Sequence, residues 1–191
     1  MKFSKWYRFD QRQTIENVQY PGIYAIAISA SDIAGTQFDY RKEIAYFGIT
    51  NSKGGLRGRL DQFNNTLRDR PGPGHGGVER FRYDYQDGNA LAKVLYLAVC
   101  PFKCDVLSIA RTDLETMGDV ARAEYLALAN YAERFGRLPK YNDKKNSPKR
   151  VRSARSSNGE QKLPTGLPTG QKQYDHNEGK AREIKQLTDS A

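Results

Sequence analysis

Two short stretches decide the fold: GIYAIAIS at residues 22–29 and EIAYFGIT at residues 43–50. Alternation along the first puts Ile23, Ala25 and Ala27 on one face and Tyr24, Ile26 and Ile28 on the other, which is the period of a β-strand. Pro21 stands just ahead of it, where a strand tolerates proline. Residues 30–42 form a polar connection to the second strand. Gly54 and Gly55 then break the chain before a helix expected from about Leu56 to Arg68, with Leu56, Leu60, Phe63 and Leu67 at helical spacing. PGPGHGG, residues 71–77, reads as a loop, and LAKVLYLAV, residues 91–99, as a buried strand. Thr112 and Glu115 form a capping-box pattern at the start of a long helix that ends near Gly136 and Pro139. The order β-β-α-β-α predicts an α+β fold, a small mixed or antiparallel β-sheet flanked by helices.

The chain has 191 residues, 38% of them hydrophobic, which suits one domain and an unpacked remainder. Beyond Asn142 large apolar residues almost vanish, and such a segment buries too little surface to offset its ordering entropy. Residues 1–20 are therefore expected as an N-terminal extension, 21–143 as the folded domain and 144–191 as a basic, disordered tail. Lys144, Lys145, Lys149, Arg150, Arg152 and Arg155 open that tail, as either a solvated run or a loose phosphate-binding arm. Lys and Arg number 31 against 22 Asp and Glu, a net charge of +9 that favours a polyanionic partner. No stretch approaches the roughly 18 consecutive apolar residues of a membrane span. MKFSKWYRFDQRQ at the N-terminus lacks the apolar core of a secretory signal, so a cytoplasmic location is expected. Cys100 and Cys104 cannot make a four-thiolate zinc site.

The clearest chemical signal is a carboxylate on the last helix. Met117, Ala121, Leu128, Tyr131 and Phe135 fall within about 40° of one direction, and Glu124 falls in the same stripe. A carboxylate placed there is costly unless it is paired, protonated or bound to a cation, and the two readings are a partner of a core arginine and a metal ligand. A hard oxygen donor of this kind suits Mg²⁺, or Mn²⁺. Tyr24 and Tyr46 each stand beside a glycine, in GIY at 22–24 and YFG at 46–48. Taken singly, each reads as a packed core aromatic.

Taken together with L-x-x-R-L at 56–60, AEY at 123–125 and LPKYN at 138–142, these tripeptides resemble the GIY-YIG nuclease family in content and order. The resemblance runs from about Gly22 to Asn142. It implies an endonuclease that uses one Mg²⁺ (or Mn²⁺) to hydrolyse phosphodiester bonds in double-stranded or branched DNA. It further implies that Tyr24 helps deprotonate the attacking water and that Tyr46 supports Tyr24 by hydrogen bonding. Arg59 would contact the scissile phosphate, Glu124 would be the sole protein ligand of the metal, and Asn142 would close the site. The chain departs from the family pattern in four places, one of them three extra residues before the helix. Phe47 replaces the isoleucine of YIG, and the interval between the tyrosines is long, as in the restriction-enzyme branch. Phe63 stands four residues after Arg59, where many members carry His, Lys or Tyr. A phenylalanine cannot exchange protons, so His75 is either the stand-in or a solvated loop histidine.

The chemistry makes its own demands. Phosphodiester hydrolysis needs a deprotonated water, a way to spread charge on phosphorus and help for the leaving oxygen. A free phenol titrates near pH 10, and lowering that by two or three units takes about 3 to 4 kcal/mol of phenolate stabilisation. Arg59, the Tyr46 hydroxyl and the metal site are its expected sources. Arg57, Lys53, Lys149, Arg150, Arg152 and Arg155 are expected to meet flanking phosphates. The opposing expectation is a nucleic-acid-binding module that kept the fold and lost the chemistry. Monomer and homodimer both remain open, since cutting two strands takes either a dimer or two successive nicks.

Overall fold

The computed structural model describes residues 1–151. Its sheet has four strands, β1 (Tyr7–Arg8), β2 (Gly22–Ile28), β3 (Ile44–Thr50) and β4 (Leu95–Pro101). All pairings are antiparallel and the order is β1-β4-β2-β3. Helices α1 (Gly55–Leu67), α2 (Val78–Asp84), α3 (Gly88–Lys93) and α4 (Arg111–Phe135) complete an α+β fold. Strand alternation sends Tyr24, Ile26, Leu97 and Val99 into a core shared with Leu56, Leu60, Phe63 and Phe81. The opposite face sends Ile23, Ala25, Phe47 and Ala98 into a second core with Val120, Ala127 and Tyr131 of α4. Each large apolar side chain removed from water in these cores contributes about 1.5 to 3 kcal/mol. Among the described residues no helix is long and apolar enough to cross a membrane.

Several sequence expectations need correction. Residues 1–20 are no extension: β1 pairs with β4, Trp6, Phe9 and Val18 are fully buried, and Ile15 is nearly so. The strand expected at 91–99 begins at Leu95, because Asp87 caps a short helix ahead of it by accepting from the N–H groups of Asn89 and Ala90 at 2.8 and 3.0 Å. The Thr112–Glu115 capping box is absent. Helix α4 starts after Ala110, which places Thr112 inside the first turn, and Glu115 pairs with Arg111 at 2.7 Å instead. The far end is as expected, with Gly136 in the left-handed conformation (φ 68°) that ends helices.

Folding also continues past Asn142. Ser147 is buried, and the backbone N–H of Arg150 donates to the Glu79 carbonyl at 2.9 Å. The Arg150 guanidinium reaches Asp69 at 2.7 Å and Glu79 at 3.1 Å. Carboxylates on α2 and the loop before it thus hold a stretch that composition alone reads as tail. Arg152 and Arg155 lie outside the described residues.

Candidate active site

Tyr24 and Tyr46 share a face because of the β2–β3 register, which sets Gly48 opposite Tyr24 and Tyr46 opposite Ile26. They are diagonal neighbours, and the missing side chain between them lets the rings approach to 6.1 Å. A Cβ on Gly48 would collide with the Tyr24 ring and hydroxyl and lie 2.7 Å from Tyr46 Cε1. The glycine of YFG is therefore a steric requirement of having both tyrosines here.

His75 completes this corner. It is 1% exposed, so the solvated-loop alternative falls. Its Nε2 lies 2.6 Å from the Tyr24 hydroxyl, and its backbone N–H donates to Thr66 Oγ1 at 2.7 Å. The imidazole stands edge-on to Phe63 with centroids 5.4 Å apart. Phe63 is thus the wall against which a histidine from another segment packs. Burial, helped by the Arg59 charge, pushes the His75 pKa down to about 3. The ring stays neutral at working pH, which removes proton exchange as its task.

Half-buried Arg59, one turn into α1, donates to Gln62 Oε1 at 3.0 Å. Its Nε is buried with no hydrogen-bond partner among the described residues. Burial raises the Tyr24 phenol well above its ordinary value; Tyr46 adds to that, and Arg59 opposes it. Burial raises Tyr46 as well, again against Arg59. The expected lowering of the Tyr24 pKa is therefore reversed in the free protein, where both groups are phenols.

Glu124 approaches from α4. The packed stripe of that helix is Val120, Ala123, Ala127 and Tyr131, turned by roughly 80° from the stripe read in the sequence. Glu124 consequently stands at the margin of the core, half-buried. Desolvation raises its carboxyl pKa, opposed by the charges of Lys144 and Arg59. It forms no ion pair among the described residues, so the core-arginine alternative falls too. Its charge is felt at both phenols.

Asn142 sits at the same sheet edge in a different role. Its Oδ1 accepts from Phe47 N–H at 2.8 Å and its Nδ2 donates to the Phe47 carbonyl at 2.9 Å. With both ends of the amide engaged, it fixes the strand that carries Tyr46. Arg57 and Lys53 are exposed; Lys53 lines a separate cleft with Tyr20, Cys104 and Leu107. Sequence reasoning gave no site role to three neighbours. Arg80, whose guanidinium donates to the Ser147 carbonyl, lowers the Tyr46 pKa. Lys144 does the same to Glu124. Thr66 anchors the His75 loop. Lys149, which was expected as a phosphate contact, has its Nζ 3.4 Å from where a Cβ on Gly76 would be.

No group of three or more His, Cys, Asp or Glu side chains able to hold a metal ion occurs among the described residues. A lone half-buried carboxylate fits a hard cation that keeps most of its waters and borrows phosphate oxygens, as Mg²⁺ does. Comparison of the chain with protein-family models, curated proteins and solved structures gave no match in any of the three.

Proposed function

We propose that this protein is a metal-dependent endonuclease that hydrolyses DNA phosphodiester bonds at the β3 edge of its sheet. The observation that carries this reading is the convergence of Tyr24, Tyr46, His75 and Arg59 with Glu124, contributed by five separate segments. Core packing alone gives no reason to bring a desolvated carboxylate, an under-bonded guanidinium and two buried phenols together. The order of short motifs that resembles the GIY-YIG nucleases points the same way.

Glu124 is the group that would hold Mg²⁺ or Mn²⁺, and a bound divalent cation would supply charge neutralisation at the scissile phosphate. Arg59 faces the site from α1 and binds a non-bridging phosphate oxygen, the fork geometry that suits guanidinium. In the substrate complex Tyr24 first releases its phenol proton to solvent. As phenolate it orients the attacking water and takes its proton while the water oxygen bonds to phosphorus and the bond to the leaving oxygen breaks. Positive charge has to arrive with the substrate complex before Tyr24 can ionise, because the free protein holds it as a phenol. This couples reactivity to DNA binding. Tyr46 accepts from the Tyr24 phenol in the free protein and donates to its phenolate once Tyr24 has ionised. Arg80, Lys144 and Lys149 surround the site and meet flanking phosphates, replacing the flexible arm expected from composition. Two unpaired cysteines fit a reducing, cytoplasmic setting.

A binding module without chemistry is the second reading, and the raised phenols favour it. A nicking assay on supercoiled plasmid with the full chain separates the two. Mg²⁺-dependent nicking that EDTA abolishes is the expected result. Tight DNA binding with no nicking in Mg²⁺ or Mn²⁺ would leave only the module.

A further inference from the structure

The hydrogen bonds around His75 determine which nitrogen carries its proton. The backbone N–H of Gly77 points at Nδ1 across 3.2 Å. An amide N–H can only donate, so Nδ1 is the acceptor of a neutral ring, and a neutral ring has one proton to place. That proton lies on Nε2, whose partner at 2.6 Å is the Tyr24 hydroxyl. The loop is held by its backbone, where the His75 N–H donates to Thr66 Oγ1 and its carbonyl accepts from Val78 N–H at 3.0 Å. The ring is held by its two nitrogen contacts and by its edge against Phe63.

We propose that His75 is a tautomer-locked hydrogen-bond donor to Tyr24, a positioning residue that directs the phenol proton away from the protein wall. Because the Tyr24 oxygen accepts from Nε2–H, its own hydrogen turns toward the Tyr46 hydroxyl, which can accept it, whereas Arg59 can only donate. The same donated bond favours phenolate over phenol once cationic charge arrives. His75 thus supports Tyr24 without ever taking its proton. Burial and the Arg59 charge hold the imidazole pKa low, which keeps the ring neutral with a single proton to place. The catalytic consequence rests on the endonuclease reading; the tautomer does not.

Two measurements test it. Long-range ¹H–¹⁵N correlation spectra of the full chain, with His75→Gln used to separate His75 from His176, report each ring nitrogen. The expected pattern is an unprotonated Nδ1 and a protonated Nε2, unchanged through pH of about 6.5 where a free histidine titrates. An Nδ1–H tautomer, or an imidazolium at that pH, overturns the proposal even if the protein cleaves no DNA. The second measurement is a rescue series in the nicking assay. The Gln amide nitrogen reaches the place of Nε2, whereas that of Asn reaches only the place of Nδ1. His75→Gln should keep kcat within about tenfold, while His75→Asn and His75→Leu lose roughly ten- to a hundredfold with KM unchanged. Equal losses in Gln and Leu, with both variants folded, would sink the donor role. Absence of nicking in the wild type would sink the endonuclease reading alone and leave the spectra to decide on His75.

Discussion

The two faces of the sheet are made by the same strands and are built to different rules. The α4 face packs Ile23, Ala25, Phe47, Ala98, Val120 and Ala127, hydrocarbon against hydrocarbon. The α1 face is just as deeply buried, yet its wall contains Tyr24, His75 and Thr66, each with a hydrogen-bond partner. These three are matched by partners from distant segments, as burial requires, while the buried Arg59 Nε on the same side has none among the described residues. Period-two alternation thus lets one seven-residue strand build a hydrocarbon core with its odd positions and a wall that includes hydrogen-bonded polar groups with its even ones.

If the faces differ in this way, substitutions should separate chemistry from stability. The largest effect is expected from Glu124→Gln at the edge between them, a loss of cleavage of at least about a thousandfold with DNA binding retained. Because burial raises the Glu124 pKa in the fold, that carboxyl favours the native state at low pH and loses this contribution as pH rises through its folded value. The Gln variant should therefore match or exceed the wild type in neutral-pH melting temperature. Full cleavage by this variant would remove the metal role of Glu124. Tyr24→Phe keeps the ring and should slow nicking by roughly a hundred- to ten-thousandfold while the protein stays folded. On the other face Trp6→Ala should do the reverse, lowering unfolding free energy by about 3 to 5 kcal/mol, as for a large buried aromatic. A negligible change in urea titration would mean that residues 1–20 are an extension after all. Tyr46→Phe removes one supporting bond, so a drop of only about ten- to a hundredfold in single-turnover rate is expected.

A further effect concerns pH. His75 has a folded pKa of about 3 against 6.5 for a free histidine, so the unfolded chain binds the extra proton between those values. Stability from this group is complete above about pH 6.5 and falls with acidification, by up to about 1.4 kcal/mol per pH unit. His75→Gln should flatten that slope in acid-titrated melts; identical slopes would mean the buried ring does not titrate as described.

Long periodic elements were legible in the sequence. Strands 22–28 and 44–50, the helix after Gly55 and the helix ended by Gly136 follow from spacing and punctuation. Strand β1 was not, because two residues have no period; the signal available was Trp6, Phe9, Ile15 and Val18, too apolar a set for a free extension. Helices α2 and α3, of seven and six residues, are too short for a 3.6-residue repeat to register. Tyr24, Tyr46, Arg59 and Glu124 were singled out by motif and lie close together in the fold, but the burial that makes the tyrosines phenols is a tertiary property. His75 was only half legible: the loop was evident, while its partners Thr66 and Tyr24 are contacts across the chain. Arg150 was misread for the same reason, since Asp69 and Glu79 come from far upstream.

The grip of residues 141 and 142 on β3 also governs how one molecule meets another. Strand β3 is the outer strand of the sheet, so its outward N–H and C=O groups would otherwise stand open. Asn142 occupies both groups of Phe47, and the Tyr141 N–H takes the Ala45 carbonyl at 2.9 Å. The opposite edge, β1, is two residues long and offers almost no template. A second copy therefore finds the middle of that edge, at Ala45 and Phe47, already engaged. A chain severed ahead of Tyr141 would bare IAYFGIT, an uncharged and β-prone segment of the kind that seeds fibrils. The turn that steadies the tyrosine strand is at the same time the molecule's guard against self-templating.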